Sequence, residues 1–406
     1  MKMANHREFE GALDALKFDR YSLSKVLFYA GYGLWIIWKF VSITVLSFPE
    51  GSPLHTLLHA AVLALLSLSL LVNMPKGRVA VLSLVPLVIG LLVMKQSGQS
   101  ILLDVAMILI SSAGCSYRSI AKYTLIIVGA LSTLTVLASQ FGLIVDYPFS
   151  RGSVIRHGLG FRYSTYLSHL YLNLVLIYVY LRNNELVGWE YAFLFAINMY
   201  IFVMTNSRNS FALVLIVLFA SLIIRAWGQS KLQKRIISWA AKIGFVLVFA
   251  IGTLAALAYN PASPSWKSIN SITSNRLAQE HASLLKYGIK PFGQEIELVG
   301  NSLVMGDTLE INREANKESD RNVIENSLIK IGVEYGWVAL IAILWALFAA
   351  AAYAESNSDV VMSLTLCVFA LHSLFDPQLI DLLYTTIWFY AWTAVVRQSV
   401  SGIETS

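Results

Sequence analysis

Arg151, Arg156, Arg162, Arg208 and Arg276, together with Glu325, are the residues of this chain whose types and placement suit chemistry on a polyanion. An arginine at bilayer mid-depth costs roughly 2.5–3.5 kcal/mol on insertion scales. Arg208, set in Thr205-Asn206-Ser207-Arg208-Asn209-Ser210 between two apolar runs, therefore either snorkels to headgroups or meets an anionic partner. For several arginines on one face the balance shifts toward the partner. A diphosphate on a lipid offers several oxygens that planar guanidinium forks meet bidentately, as a lysine point charge does not. Glu325, followed by Asn326, stands where a long polar stretch enters an apolar run, and serves either as a base beside such a ligand or as an acid favoured by a helix N-terminus. One base suffices for attack on an anomeric carbon when a diphosphate leaves, because that group departs without a proton.

The remaining polar candidates are sparse. His372 and Asp376 are spaced one helical turn apart before Pro377, close enough to hydrogen-bond, and with Asn326 they are candidates to receive or support an acceptor. His157, His169 and His281 are expected on the same face, each as a polar packing group or as site support. Lys39 and Asp104 lie within apolar runs, where snorkelling or a helix–helix hydrogen bond accounts for them. Phe149, Phe161, Tyr163, Tyr166, Trp266 and Tyr287 gather on this side, as interface anchors or as surfaces for sugar rings. Cys115 and Cys367 sit in apolar runs and read as packing residues. With no Walker loop, dinucleotide fingerprint, zinc spacing or nucleophile elbow, no cofactor and no metal are expected. A substrate must then arrive already activated.

The elements that position these residues are membrane helices. Hydrophobic residues make up 57% of the chain and charged ones 13%, far from the roughly 25% charged content of soluble domains. The net charge of +6 favours anionic headgroups over nucleic acid as the basic side chains' partner. About twelve apolar runs long enough for the hydrocarbon layer are predicted, at 24–46, 54–72, 79–94, 101–116, 123–141, 165–181, 188–205, 209–226, 238–259, 323–353, 359–375 and 379–396. The fold class is thus all-α and polytopic, one transmembrane domain over 24–406. Residues 1–23 precede it as a cytoplasmic segment, where Phe9, Ala12, Leu13 and Leu16 form the apolar stripe of a surface helix or simply part of a solvated tail. No cleavable signal peptide is expected, because Met1 to Tyr21 is polar and charged.

Placing the dense Lys/Arg clusters inside puts both termini in the cytoplasm and leaves two long loops outside, 142–164 and 260–322, the larger between helices 9 and 10. In the second loop Leu277, His281, Leu284 and Leu285 share one face of an amphipathic helix that Asn275 can cap and Gly288 can end, with loop from Lys290 to Asn322. That outer side holds no nucleotide pool, which points to lipid-linked donors.

Four stretches carry a resemblance: Arg156-His157-Gly158-Leu159-Gly160-Phe161; Thr205-Asn206-Ser207-Arg208; Asn275-Arg276-Leu277 leading to Tyr287-Gly288-Ile289-Lys290-Pro291-Phe292-Gly293-Gln294; and Glu325-Asn326-Ser327-Leu328 followed by Tyr335-Gly336. In this order, and with a long loop before the last three helices, the chain resembles the Wzy-type oligosaccharide repeat unit polymerases, which share a superfamily with O-antigen ligases. The likeness runs from about Arg156 onward and leans toward exopolysaccharide or capsule polymerases. It implies a GT-C-like, inverting, metal-independent glycosyltransferase in the bacterial cytoplasmic membrane with an extracytoplasmic site. The implied donor is an undecaprenyl-diphosphate-linked glycan and the acceptor a second lipid-linked repeat unit. Membrane lipids, a flippase and a chain-length regulator are the implied surroundings.

Carried onto this sequence, Arg208 and Arg276 hold the donor diphosphate, Arg156 or Arg162 assists, and Glu325 takes the acceptor proton. Superfamily ligases carry His-Asn where this chain has Glu325-Asn326, which favours a polymerase and leaves Glu325 as base or as positioning group. Two alternatives stand beside it: a ligase passing glycan to another acceptor, and a flippase or transporter of lipid-linked sugars. Against the transporter, the two halves show no internal repeat.

Overall fold

Runs of Leu, Val and Ile punctuated by Ser, Asn, Asp, Pro and Gly set the helix limits in the computed structural model, which describes residues 2–49, 51–151, 154–227, 231–296 and 323–401. The elements are α1 (Lys2–Ser42), α2 (Pro53–Val72), α3 (Gly77–Ser97), α4 (Ile101–Ser111), α5 (Tyr117–Gln140), strands β1 (Pro148–Arg151) and β2 (Val154–His157), α6 (Tyr166–Leu181), α7 (Gly188–Thr205), α8 (Arg208–Trp227), α9 (Lys231–Ala258), α10 (Pro264–Ile272), α11 (Arg276–Tyr287) and α12 (Ser327–Lys330). A π-helical turn (Ile331–Tyr335) follows, then α13 (Gly336–Ser356), α14 (Val360–His372) and α15 (Ile387–Ser401). Local chemistry explains several starts: Ser52 accepts from the N–H of His55 ahead of Pro53, Ser116 from that of Ser119, and Asp359 from that of Met362.

Among the described residues six helical stretches, Pro53–Val72, Gly77–Ser97, Tyr117–Gln140, Arg208–Ala226, Leu232–Ala258 and Ser327–Ser356, are long and apolar enough to cross a hydrocarbon layer. The first two bury only 17% of their apolar windows, against 44% for the last, so α2 and α3 present leucine- and valine-rich faces outward while the Ser327–Ser356 stretch buries more of its surface in the bundle. Leu57, Leu71 and Val81 are among these outward side chains, each about two-thirds exposed. Apolar surface on this scale is a liability in water and ordinary against lipid. The chain is a nearly all-helical polytopic membrane protein.

Each predicted run falls on helix, but not always along its whole length. α4, α6 and α14 are apolar helices shorter than 18 residues, and α4 stops at Ser111 where the sequence suggests Ser116, because a turn through Gly114 (φ 87°) packs on Tyr21. The predicted twelfth run begins late: 379–386 is non-helical and buried, and α15 starts at Ile387. The loop 142–164 is not all coil, since β1 and β2 pair antiparallel with Phe149 opposite Arg156. At the N-terminus the backbone passes through the predicted boundary at residue 23 without a break, as α1. The side chains of the stripe Phe9, Ala12, Leu13 and Leu16 lie outside the described residues, as does most of the predicted loop, at 297–322.

Phe28, Tyr32 and Trp35 of α1 are fully buried, and Tyr32 meets Phe389 of α15 edge-on at 5.1 Å, so the first and last helices share one core. At one end of the bundle the chain after α1 is stitched to the hairpin region: Val45 donates to the carbonyl of Gly160 and Arg162 to that of Ile43. At the opposite end basic side chains meet acids and carbonyls, as Arg182 does Glu190, Lys242 does Glu355 and Arg118 does Leu181.

Two stretches singled out in the sequence interlock at the hairpin end. Gln294 donates its N–H to Glu334, Trp337 to Lys290 and Val338 to Pro291, while the Gln294 amide donates to the carbonyls of Tyr287, Gly288 and Val333. This clasp works only with glycine at its crossing: a Cβ on Gly293 would sit 2.0 Å from the Glu334 carbonyl oxygen, and one on Gly336 2.4 Å from the Gly293 nitrogen. Both glycines have positive φ, 79° and 91°. Gly293→Ala and Gly336→Ala are therefore expected to lose roughly 3 kcal/mol or more, combining overpacking with backbone strain. Gly142→Ala, whose Cβ meets nothing within 4 Å, should lose only the strain. Thermal unfolding of the purified variants in detergent checks the ranking; equal melting points for all three would contradict it.

Candidate functional site

The centre of the site is built from two helix starts. α11 opens at Arg276 after Ser274 and Asn275, both in the left-handed region with φ of 60° and 67°. That strain is held by α10: Asn270 accepts the Ala278 N–H at 3.0 Å and its amide donates to Asn275 at 3.1 Å. The sequence proposes Asn275 as the side-chain cap, and the structure corrects this. Asn275 occupies the cap position but Asn270 supplies the acceptor, because an αL residue turns its side chain away from the first turn. The second start is α12, capped by Asn326, whose side chain accepts the N–H groups of Leu328 and Ile329. Ser327 fastens this start to the stretch after α14, donating its N–H to Ser373 and its hydroxyl to the carbonyl of Asp376, while accepting from Leu379.

Arg276 and Glu325 meet between these starts. The Nε–H of Arg276 donates to Glu325, and the guanidinium lies 5.5 Å from the ring centre of Phe375. Both side chains stay about one-quarter exposed, so the pair remains reachable. Glu280, one turn beyond Arg276, is buried and accepts the backbone N–H of Asn326. Burial pushes its carboxyl up to about 8, against the opposing pull of Arg276 and of that N–H. The buried face of α11 is Leu277, Glu280 and Ser283, whereas the predicted stripe ran through Leu285, which is two-thirds exposed. The helix packs on protein that offers polar partners, not on a uniformly apolar surface.

The other predicted residues divide by what they touch. Arg208 opens α8, is exposed, and lines a cavity of about 400 Å³ with Val154, Asn206, Ser271, Ile272 and Ser274. Among the described residues it pairs with no carboxylate; its Nε reaches Asn206 at 3.4 Å. Arg276 does not line that cavity, although Ser274 places it two residues away. Arg156 is buried and donates to the carbonyl of Thr205 at 2.6 Å, tying β2 to the end of α7. Arg162 lies on the segment stitched to α1, and the side chain of Arg151 is outside the described residues. His157 sits 2.7 Å from Asp146, whose second oxygen accepts the Leu159 N–H. His281 donates to the carbonyl of Ala256, fixing α11 on α9.

His372 and Asp376 do not form the predicted hydrogen bond: their nearest N and O are 3.9 Å apart. The helix ends at His372, so Asp376 is not carried one turn around it, and its near neighbour is His169 at 2.6 Å. The sequence leaves His169 as a polar packing group or as site support, with no link to Asp376, and places Glu280 on the polar side of its helix with no role in the site. The signal for Glu280 was available, since it follows Arg276 at the i, i+4 spacing of helical ion pairs. Nothing local connects His169 with Asp376, which meet through tertiary packing.

Comparison with protein-family models, with curated proteins and with solved structures found no match to this chain.

Because the folded-state value of Glu280 lies above its ordinary 4.5, its protonated form is the one the fold favours. Its contribution is present in full below the ordinary value and is lost as pH rises toward about 8. Wild-type protein should therefore lose thermal stability relative to Glu280→Gln across that window. Melting curves that stay parallel from acid to mildly alkaline pH would count against the assignment.

Proposed function

We propose that this protein is a membrane glycosyltransferase that polymerises lipid-diphosphate-linked oligosaccharide repeat units into a surface polysaccharide. In this reading the chain crosses a bacterial cytoplasmic membrane about twelve times, with both termini cytoplasmic and the hairpin end extracytoplasmic. The observation that carries it is the Arg276–Glu325 pair: a reachable arginine and a reachable carboxylate, joined at the end of the bundle where Arg208 lines a cavity. These are the two chemistries required to hold a diphosphate and to take a proton from an attacking hydroxyl.

The pairing also suggests an order of events. Without donor, Glu325 neutralises Arg276. A donor diphosphate offers the guanidinium a better bidentate partner and releases the carboxylate. The acceptor hydroxyl then attacks the anomeric carbon with inversion, its proton passes to Glu325, and the carbon–oxygen bond to the diphosphate breaks with both electrons leaving on the polyprenyl diphosphate. Arg208 and Arg276 balance the charge that collects on that leaving group.

A flippase reading draws on a separate observation, the buried non-helical stretch between α14 and α15, because interrupted helices commonly build transporter sites. Purified protein in proteoliposomes with one defined undecaprenyl-diphosphate oligosaccharide separates the two. A ladder of longer glycans supports polymerisation, and sugar crossing the bilayer with no new glycosidic bond supports transport. In the same assay Arg208→Lys and Arg276→Lys should lose most elongation, because charge is kept but the fork is gone. Glu325→Gln should bind donor normally and turn over roughly 10²- to 10⁴-fold more slowly. Weakened donor binding at an unchanged rate would make Glu325 a positioning group instead.

A further inference from the structure

We propose that His169, His372 and Asp376 form a buried site for one divalent transition-metal ion of the zinc class, seated where the chain leaves α14. The proposal is independent of the glycosyl transfer described above. The three residues come from the first turn of α6, the last residue of α14 and the non-helical stretch beyond it. Each offers one ligand atom, and these atoms lie within 4.8 Å of one another. Asp376 and His372 are almost wholly buried and the His169 side chain is only 11% exposed.

The protons available do not satisfy this cluster. His169 Nδ1 is 2.6 Å from Asp376 Oδ2 and 3.0 Å from the Gln378 side-chain oxygen, so one N–H faces two acceptors. The closer contact is not aligned as a hydrogen bond, and among the described residues Asp376 Oδ2 has no hydrogen-bond partner. His372 Nε2 is buried with no hydrogen-bond partner among the described residues, 3.9 Å from that same oxygen. The two imidazoles stand edge to face, centres 5.1 Å apart, which leaves their nitrogens converging and not stacked. Buried polar atoms without partners are expensive, so an orphaned imidazole nitrogen beside an orphaned carboxylate oxygen calls for a third party.

A cation fits better than a further hydrogen bond. Around four-coordinate zinc, with ligands about 2.0–2.2 Å from the ion, neighbouring donor atoms lie roughly 3.3–3.5 Å apart. The two spacings to Asp376 Oδ2, 2.6 and 3.9 Å, bracket that value, and all three ligand atoms lie within 4.8 Å of one another. Two imidazoles and a carboxylate suit zinc or a related first-row ion and not calcium or magnesium, which take all-oxygen shells. The second oxygen of Asp376 already accepts the Gln378 N–H, the kind of outer contact that orients a ligating carboxylate. The ion would tie α6 to the end of α14 and to the stretch that accepts the Ser327 hydroxyl, and so would hold the α12 start from which Glu325 projects.

The test uses the full chain in detergent, stripped of metal, equilibrated with Zn²⁺, desalted, and measured by elemental mass spectrometry. About one zinc per chain is expected to be retained. Retention should fall at least tenfold in His372→Ala and in Asp376→Asn, and be unchanged in His59→Ala, whose histidine faces Asp104 at 2.9 Å with no third ligand among the described residues. Co²⁺ substituted into the wild type should give visible absorption bands and an X-ray absorption shell with two imidazoles, a readout that does not require any variant to fold. A wild type that keeps no zinc and shows no cobalt bands overturns the proposal. So does zinc kept equally by His372→Ala and Asp376→Asn, since the ion is then elsewhere.

Discussion

A buried backbone that leaves the helical ladder has to find its hydrogen bonds within the protein, because no solvent reaches it to supply them. The hairpin end of this chain depends on that constraint. The stretch from Ser373 to Thr386 is non-helical and mostly buried, and its backbone meets Ser327, the ring nitrogen of Trp388 on Leu379 and short turns of its own. The π-helical turn before α13 is held in the same way, through its carbonyls at Val333 and Glu334 bonding to Gln294. π-helical turns recur at functional sites, and here one lies just beyond the residue that pairs with Arg276. Irregular backbone is thus not slack at this end of the fold; it is tied by specific hydrogen bonds.

The same region concentrates the charges. Arg276 faces Glu325, which is open to its surroundings, and lies near Glu280, which is buried. Burial keeps a proton on Glu280, so one formal negative charge is set against one positive. An arginine balanced by a single reachable carboxylate can exchange that partner for another anion without leaving a buried charge uncompensated. If both acids were ionised, an incoming diphosphate would meet a site already negative. In the proposed reading, the buried acid would thereby bear on which anions the exposed pair accepts, although it is itself almost wholly buried.

How much of this was legible in the sequence depends on the range of the interactions involved. The helical class follows from the apolar runs, and the α11 limits from Gly288 at one end and Asn275 at the other. The glycine-rich stretches 287–294 and 335–336 also stood out, because glycine next to aromatic and proline residues is conspicuous. What they do could not be read locally: Gly293 is essential because of a carbonyl some forty residues later, a contact that no periodicity reveals. Arg156 reads as a ligand-binding arginine by its type, yet its Nε is spent on a helix end at Thr205. The His169–Asp376 proximity likewise joins residues from opposite halves of the chain. Apolar content alone made 379–386 look like helix, since buried coil and buried helix carry the same composition.

The clasp between Gln294 and Glu334 has a further bearing on residues 297–322, which join α11 to the start of α12. Both flanks of that segment are pinned by backbone hydrogen bonds and by α9, so its ends stand at fixed points whatever it contains. Closing a chain between fixed points depends only logarithmically on its length, about 0.6 kcal/mol for each doubling. Added length between those fixed points accordingly costs the scaffold little.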